Sequence, residues 1–130
     1  MENTPERRRE RRLRYHWPVW FAEDFNEILS QGQMVDVSSG GAAFTCHSDR
    51  SSPYPGQEIT ARFSVPHFGS DNSFNLTNFI RSSKVCRVDY LTPNLHRIAV
   101  QFHQPLPFKP GEQADNQDEL EQELETSSAV

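Results

Sequence analysis

Alternation of apolar and polar residues, rather than helical spacing, organises the chain before residue 112. Residues 58–65 (EITARFSV) alternate strictly, which puts Ile59, Ala61, Phe63 and Val65 on one face of an extended segment. Residues 96–102 repeat the pattern, with Ile98, Val100 and Phe102 turned inward. Shorter runs at 33–37 and 42–46 flank a Ser-Ser-Gly-Gly turn at 38–41. Residues 76–89 read as a long strand with room for a bulge, followed by a turn over 90–94. The first strand is expected at 16–21, where Pro18 requires an edge or bulge because it has no N–H to donate. Pro66 is expected to end the strand before it, with a polar loop to Asn75. Six or so strands separated by turn signals predict an all-β domain, either a small antiparallel barrel or a sandwich. Pro105, Pro107 and Pro110 close it.

Composition divides the 130 residues into three parts: an arm over 1–15, the β domain over 16–110 and a tail over 111–130. The hydrophobic fraction is 35%, low for a chain packed from end to end, and fits a small core with polar extensions. Net charge is −5, but its distribution is uneven. Glu112, Asp115, Asp118, Glu119, Glu121, Glu123 and Glu125 lie in the tail, and outside them thirteen bases face eleven acids. The overall acidity therefore says little about what the body binds. In the tail, Leu120 and Leu124 have i, i+4 spacing among helix formers, which slightly favours a short terminal helix over disorder. No run approaches the ~18 apolar residues of a membrane span. No apolar segment follows the first arginines as a secretory signal would require, so a cytoplasmic protein is expected. Cys46 and Cys86 have no metal or redox spacing and are expected to be free, buried thiols.

Six of the thirteen basic residues are arginines between positions 7 and 14. Their like charges repel, so the arm is expected to be mobile until an anion arrives. Arginine adds geometry to charge: its planar fork can grip a phosphate, the O6/N7 edge of guanine, or stack on a base. The complementary half is Asp36-Val37-Ser38-Ser39-Gly40-Gly41. In an extended segment Asp36 and Ser38 share a side, and Gly41 permits a close approach to the backbone. A carboxylate beside a hydroxyl at a rim suits the N–H edge of guanine. The same residues could simply cap a turn.

RxxxR at Arg8 and Arg12, with Arg9 extending it to RRxxR, followed by DxSxxG at Asp36, Ser38 and Gly41, resembles the PilZ domain. Pro18-Val19, six residues after Arg12, matches the first barrel strand of that family, and residues 85–102 (VCRVDYLTPNLHRIAVQF) resemble its closing hairpin. The likeness covers roughly residues 6–108. Arg7 and Arg11 form a second RxxxR, and the spacing to Pro18 favours Arg12. The resemblance implies a small six-stranded antiparallel barrel and a receptor for cyclic di-GMP. It further implies loop contacts from Arg8, Arg9 and Arg12 and barrel contacts from Asp36, Ser38 and Gly41. Ligand would order the arm and so change a surface read by an unidentified effector protein.

Competing readings make other demands. A PilZ-fold interaction module that binds no nucleotide and acts in motility or envelope assembly would not need a complete motif. Nucleic-acid binding through the arm predicts steep salt dependence and little selectivity, and is the weaker reading. Zinc is not expected: Cys46 and His47 face opposite ways on a strand, and neither C-x-x-C nor H-x-x-x-H occurs. Trp17 and Trp20 fit rim or core packing better than base stacking. GxSxG, HExxH and GxxxxGK[ST] are absent, so neither catalysis nor a cofactor is expected.

Overall fold

The computed structural model describes residues 10–26, 28–49, 52–68 and 74–113. Arg8 and Arg9, and nearly all of the acidic tail, lie outside these residues. Among the described residues there are seven strands: β1 (Leu13–Arg14), β2 (Pro18–Ala22), β3 (Ser30–Val37), β4 (Gly41–His47), β5 (Glu58–Phe68), β6 (Phe74–Thr92) and β7 (Leu95–Phe102). A 3-10 turn follows at Pro110–Glu112. The sheet runs β3-β2-β5-β6-β7-β4 and closes through an additional β3–β4 pairing, giving an antiparallel six-stranded barrel. Closure removes the open sheet edges that a flat sheet would expose.

Strand β1 is the seventh. It pairs with the far end of β3 (Leu13 with Val37, Arg14 with Asp36), while β2 pairs with the near end (Pro18 with Gln33, Phe21 with Ser30). Backbone bonds from Tyr15 N to Val35 O (3.2 Å) and from Met34 N to Trp17 O (2.7 Å) carry the contact between them. The chain from Leu13 to Ala22 thus runs along one side of β3, and two residues of the expected arm belong to the sheet.

The interior holds Leu13, Val19, Phe44, Phe63, Val65 and Ile98, all essentially inaccessible. Removing each such side chain from water contributes ~1.5–3 kcal/mol, offset by chain entropy. Phe63 stacks on Phe102 with ring centroids 5.5 Å apart, and Phe21 tilts on Phe44 at 4.9 Å. Trp17 packs against this core from its margin, and Trp20 lies under the Arg62 guanidinium at 5.1 Å.

Several boundaries differ from the sequence reading. Pro66 does not end its strand: β5 continues to Phe68 and pairs residue by residue with β6 from Phe74 onward. Strand β2 pairs with β5 only between Val19–Phe63 and Ala22–Thr60, so on that side Pro66 interrupts no ladder. Pro18 is tolerated for the same reason, since it opens β2 and pairs with β3 alone. Strand β6 runs through Tyr90 to Thr92, leaving a turn of only Pro93-Asn94, and is irregular between Val85 and Arg87 and between Tyr90 and Thr92. Cys46 is buried as expected, but Cys86 is exposed, since it follows the core residue Val85 and so faces outward.

Candidate functional site

Antiparallel pairing of β1 with β3 sets the two sequence motifs side by side. Arg12 precedes β1 by one residue, and Asp36 is the next-to-last residue of β3. Arg12 Nη1 donates to Asp36 Oδ1 at 3.0 Å, across 24 residues of sequence. The other carboxylate oxygen accepts from Arg97 Nη2, on β7, at 3.4 Å. The Asp36 side chain is 12% exposed, against 30% for Arg12 and 40% for Arg97. A shielded carboxylate is thus covered by two guanidinium groups that both reach solvent.

The β3–β4 register shifts between Met34 and Asp36, so Met34 and Val37 both reach the core while Asp36 stands on the outer face. After Val37 the chain leaves the strand. Ser38 N donates to Gly41 O at 2.8 Å, and Ser38 Oγ turns to the same carbonyl at 3.4 Å. The Ser38 hydroxyl thus bonds within the turn that follows β3. Gly41 is constrained by proximity: a Cβ there would lie 2.4 Å from the carbonyl oxygen of Val100. This close approach seats the turn on β7, where Phe102 N bonds Gly40 O at 2.8 Å.

The end of the arm is held to this turn. Glu10, inside the arginine run, accepts from Ser39 N at 2.7 Å and from Ser39 Oγ at 2.6 Å. Arg11 N donates to Glu112 Oε2 at 2.9 Å. Gly111 lets the 3-10 turn press against the arm, since a Cβ there would meet Arg11 O at 2.2 Å. Arg11 itself is exposed, so Arg12 is the arginine of the two overlapping patterns that reaches Asp36.

Arg14, Asp36, Ala43, Ala99 and Arg87 occupy successive paired positions across β1, β3, β4, β7 and β6. Ala43 lies between the core residues Ala42 and Phe44 and so takes the opposite face. Ala43 is itself buried and Ala99 half-buried, so this row presents chiefly the arginines to solvent, with the shielded carboxylate between them. Guanidinium groups supply forked donors for phosphate, and the carboxylate accepts N–H donors. Behind this face Tyr15 Oη donates to Ser64 O at 2.9 Å. Its phenol is held well above the ordinary range by burial and, secondarily, by the Asp36 charge.

Of the six candidate residues, Arg12 and Asp36 are in contact, with Ser38 and Gly41 in the turn that follows. Arg8 and Arg9 are not described. Arg97 and Glu10 were missed by the sequence reading. Alternation around Ile98 marks Arg97 as outward-facing, but its neighbour across the barrel depends on closure. A groove of about 320 Å³ lies at the opposite end of β3, lined by Phe21, Ala22, Ile28, Ser30, Tyr54 and Ile59 among others. It contains none of the motif residues. Among the described residues no three His, Cys, Asp or Glu side chains gather as metal ligands, and no helix is long and apolar enough to cross a membrane.

A closed barrel with a joined arginine and carboxylate on its outer face has the form of a binding module. The PilZ domain family matches residues 6–116, and the chain belongs to it. PilZ domains are binding and adaptor modules, and generally receptors for cyclic di-GMP. Among solved structures, the Bacillus subtilis inhibitor of motility MotI/DgrA is similar, with a TM-score of 0.56 at 14% identity. The alignment covers 99% of this chain and 53% of that one, so the chain spans about half the length of that neighbour, and the likeness is one of fold. No curated protein sequence matches.

Proposed function

We propose that this protein is a non-enzymatic receptor for cyclic di-GMP, and that it signals as an adaptor to another protein. The observation that carries the reading is the meeting of Arg12 with Asp36 on the outer barrel face, beside the turn seated by Gly41. Arg12 comes from the arm motif and Asp36 from the barrel motif, and the Arg12 guanidinium reaches solvent beside the shielded carboxylate.

A ligand with two phosphates and two guanines finds matching chemistry here. A phosphate competes with Asp36 for the Arg12 fork, because both are anionic acceptors for the same donors. The Asp36 carboxylate then accepts the N–H edge of guanine, which offers two adjacent donors. Arg8 and Arg9 bring further forks from the arm. Ligand therefore exchanges contacts within the protein for contacts to itself, orders the arm over the barrel and alters the surface an effector reads. No cofactor takes part, and the cytoplasm, where the nucleotide acts, is the proposed location.

Equilibrium titration with cyclic di-GMP and, separately, cyclic di-AMP tests the reading. Cyclic di-GMP is expected to bind in preference, and Asp36→Ala to reduce that preference. Equal affinity for the two nucleotides would remove the role assigned to Asp36. Binding that instead follows any anionic polymer, with steep salt dependence, would favour nucleic-acid recognition by the arm.

A further inference from the structure

Arg97 belongs to neither motif, yet it holds the carboxylate oxygen of Asp36 that Arg12 leaves open. We propose that Arg97 is a positioning residue of the nucleotide site: it keeps Asp36 neutralised so that Arg12 can exchange its carboxylate for a ligand phosphate. This inference rests on the receptor reading above and adds to it the residue that makes the exchange possible.

A carboxylate only 12% exposed is costly to leave without a counter-charge. Were Arg12 its only partner, each phosphate that captured Arg12 would strand that charge, and much of the binding energy would be cancelled. Two arginines on separate oxygens remove the conflict. Their anchoring differs. Arg12 precedes the two-residue β1, which pairs with β3 alone, and the chain before it is held by the Glu10 bonds to Ser39 and by Arg11 N to Glu112. Arg97 sits inside the eight-residue β7, next to the fully buried Ile98, and is paired in register with Thr45 on one side and Asp89 on the other. Asp89 is itself engaged by Arg87 at 2.9 Å. Arg97 is thus the partner that stays, and Arg12 the partner that leaves.

What matters at position 97 on this account is positive charge near Oδ2, not the arginine fork. The test is the affinity for cyclic di-GMP of wild type, Arg97→Ala, Arg97→Gln and Arg97→Lys, with thermal melting of each to establish folding. The neutral variants are expected to bind roughly 10-fold or more weakly, as loss of one partner of a shielded charge pair predicts. Arg97→Lys should restore affinity to within about threefold of wild type, because an ammonium group supplies the same charge. Wild-type affinity in folded Arg97→Ala or Arg97→Gln would overturn the inference. So would an Arg97→Lys as weak as the neutral variants, because the fork would then be what the ligand requires. Failure of wild type to bind would instead overturn the receptor reading, and this inference with it.

Discussion

Replacing Gly41 by alanine places a methyl carbon 2.4 Å from the carbonyl oxygen of Val100. Ordinary contact needs roughly 1 Å more, and both atoms belong to backbone or Cβ, so no side-chain rotation relieves the clash. Strands β4 and β7 must separate at the Gly41–Gln101 pair, where the turn bearing Ser38 and Ser39 is seated. Such forced shifts cost ~1–3 kcal/mol. Restriction of the unfolded chain by alanine returns ~0.4–1 kcal/mol. At the middle of these ranges the net loss is about 1.3 kcal/mol, a fall in melting temperature of roughly 4–10 °C for a domain of this size. The neighbouring glycine supplies the control: nothing lies within 4 Å of a Cβ at Gly40, and its φ is not positive. Gly40→Ala is therefore expected to melt at or slightly above wild type. Thermal denaturation followed by far-ultraviolet circular dichroism compares the two. A Gly41→Ala protein melting within ~2 °C of Gly40→Ala would refute the close approach on which the turn geometry depends.

Other perturbations probe the surroundings. In urea denaturation Ser39→Ala should lower stability by about 1 kcal/mol and Glu10→Ala by more, since it also removes the bond from Ser39 N, and the double variant should add little to Glu10→Ala. Fully additive losses would disprove that the two residues act together. Thiol titration with a chromogenic disulfide at pH 8 should find one fast group, the exposed Cys86. Cys46 should react only on unfolding, since burial, with Asp49 adding to it, pushes its thiol up to about 11; two fast thiols would contradict the fold. Alkaline stability follows from Tyr15, whose phenol is raised by burial above its ordinary value of 10. A raised folded value means the unfolded chain loses the proton first, so stability is fully present below pH 10 and declines above it. Tyr15→Phe should flatten that decline, and an unchanged alkaline slope in the variant would exclude Tyr15 as its source.

The strands with one buried face were the most legible in the sequence. Residues 58–65 and 96–102 alternate because Ile59, Phe63, Ile98 and Phe102 enter the core while their neighbours face out. Strand ends were less legible, because Pro66 signals a stop unless it is known that β2 has already departed at Phe63. Strand β1 was not legible at all: Leu13–Arg14 is too short for a period and lies in an arginine run, and only its partner Val37 gives it a place. At the site, the motif spacing singled out Arg12 and Asp36, and the β1–β3 register joins them. The strand ends at Val37, and the Ser38 hydroxyl turns to Gly41 O. The link from Arg97 to Asp36 spans 61 residues and exists because β4 closes the barrel between β3 and β7. No local pattern encodes such a contact.

The central claim is that the Arg12–Asp36 face receives cyclic di-GMP, and isothermal calorimetry of wild type beside Arg12→Ala tests it most directly. Wild type should release binding heat on titration with the nucleotide, and Arg12→Ala should release none or bind far more weakly while keeping its fold. Absence of heat from folded wild type, or equal affinity in the two proteins, would contradict the account.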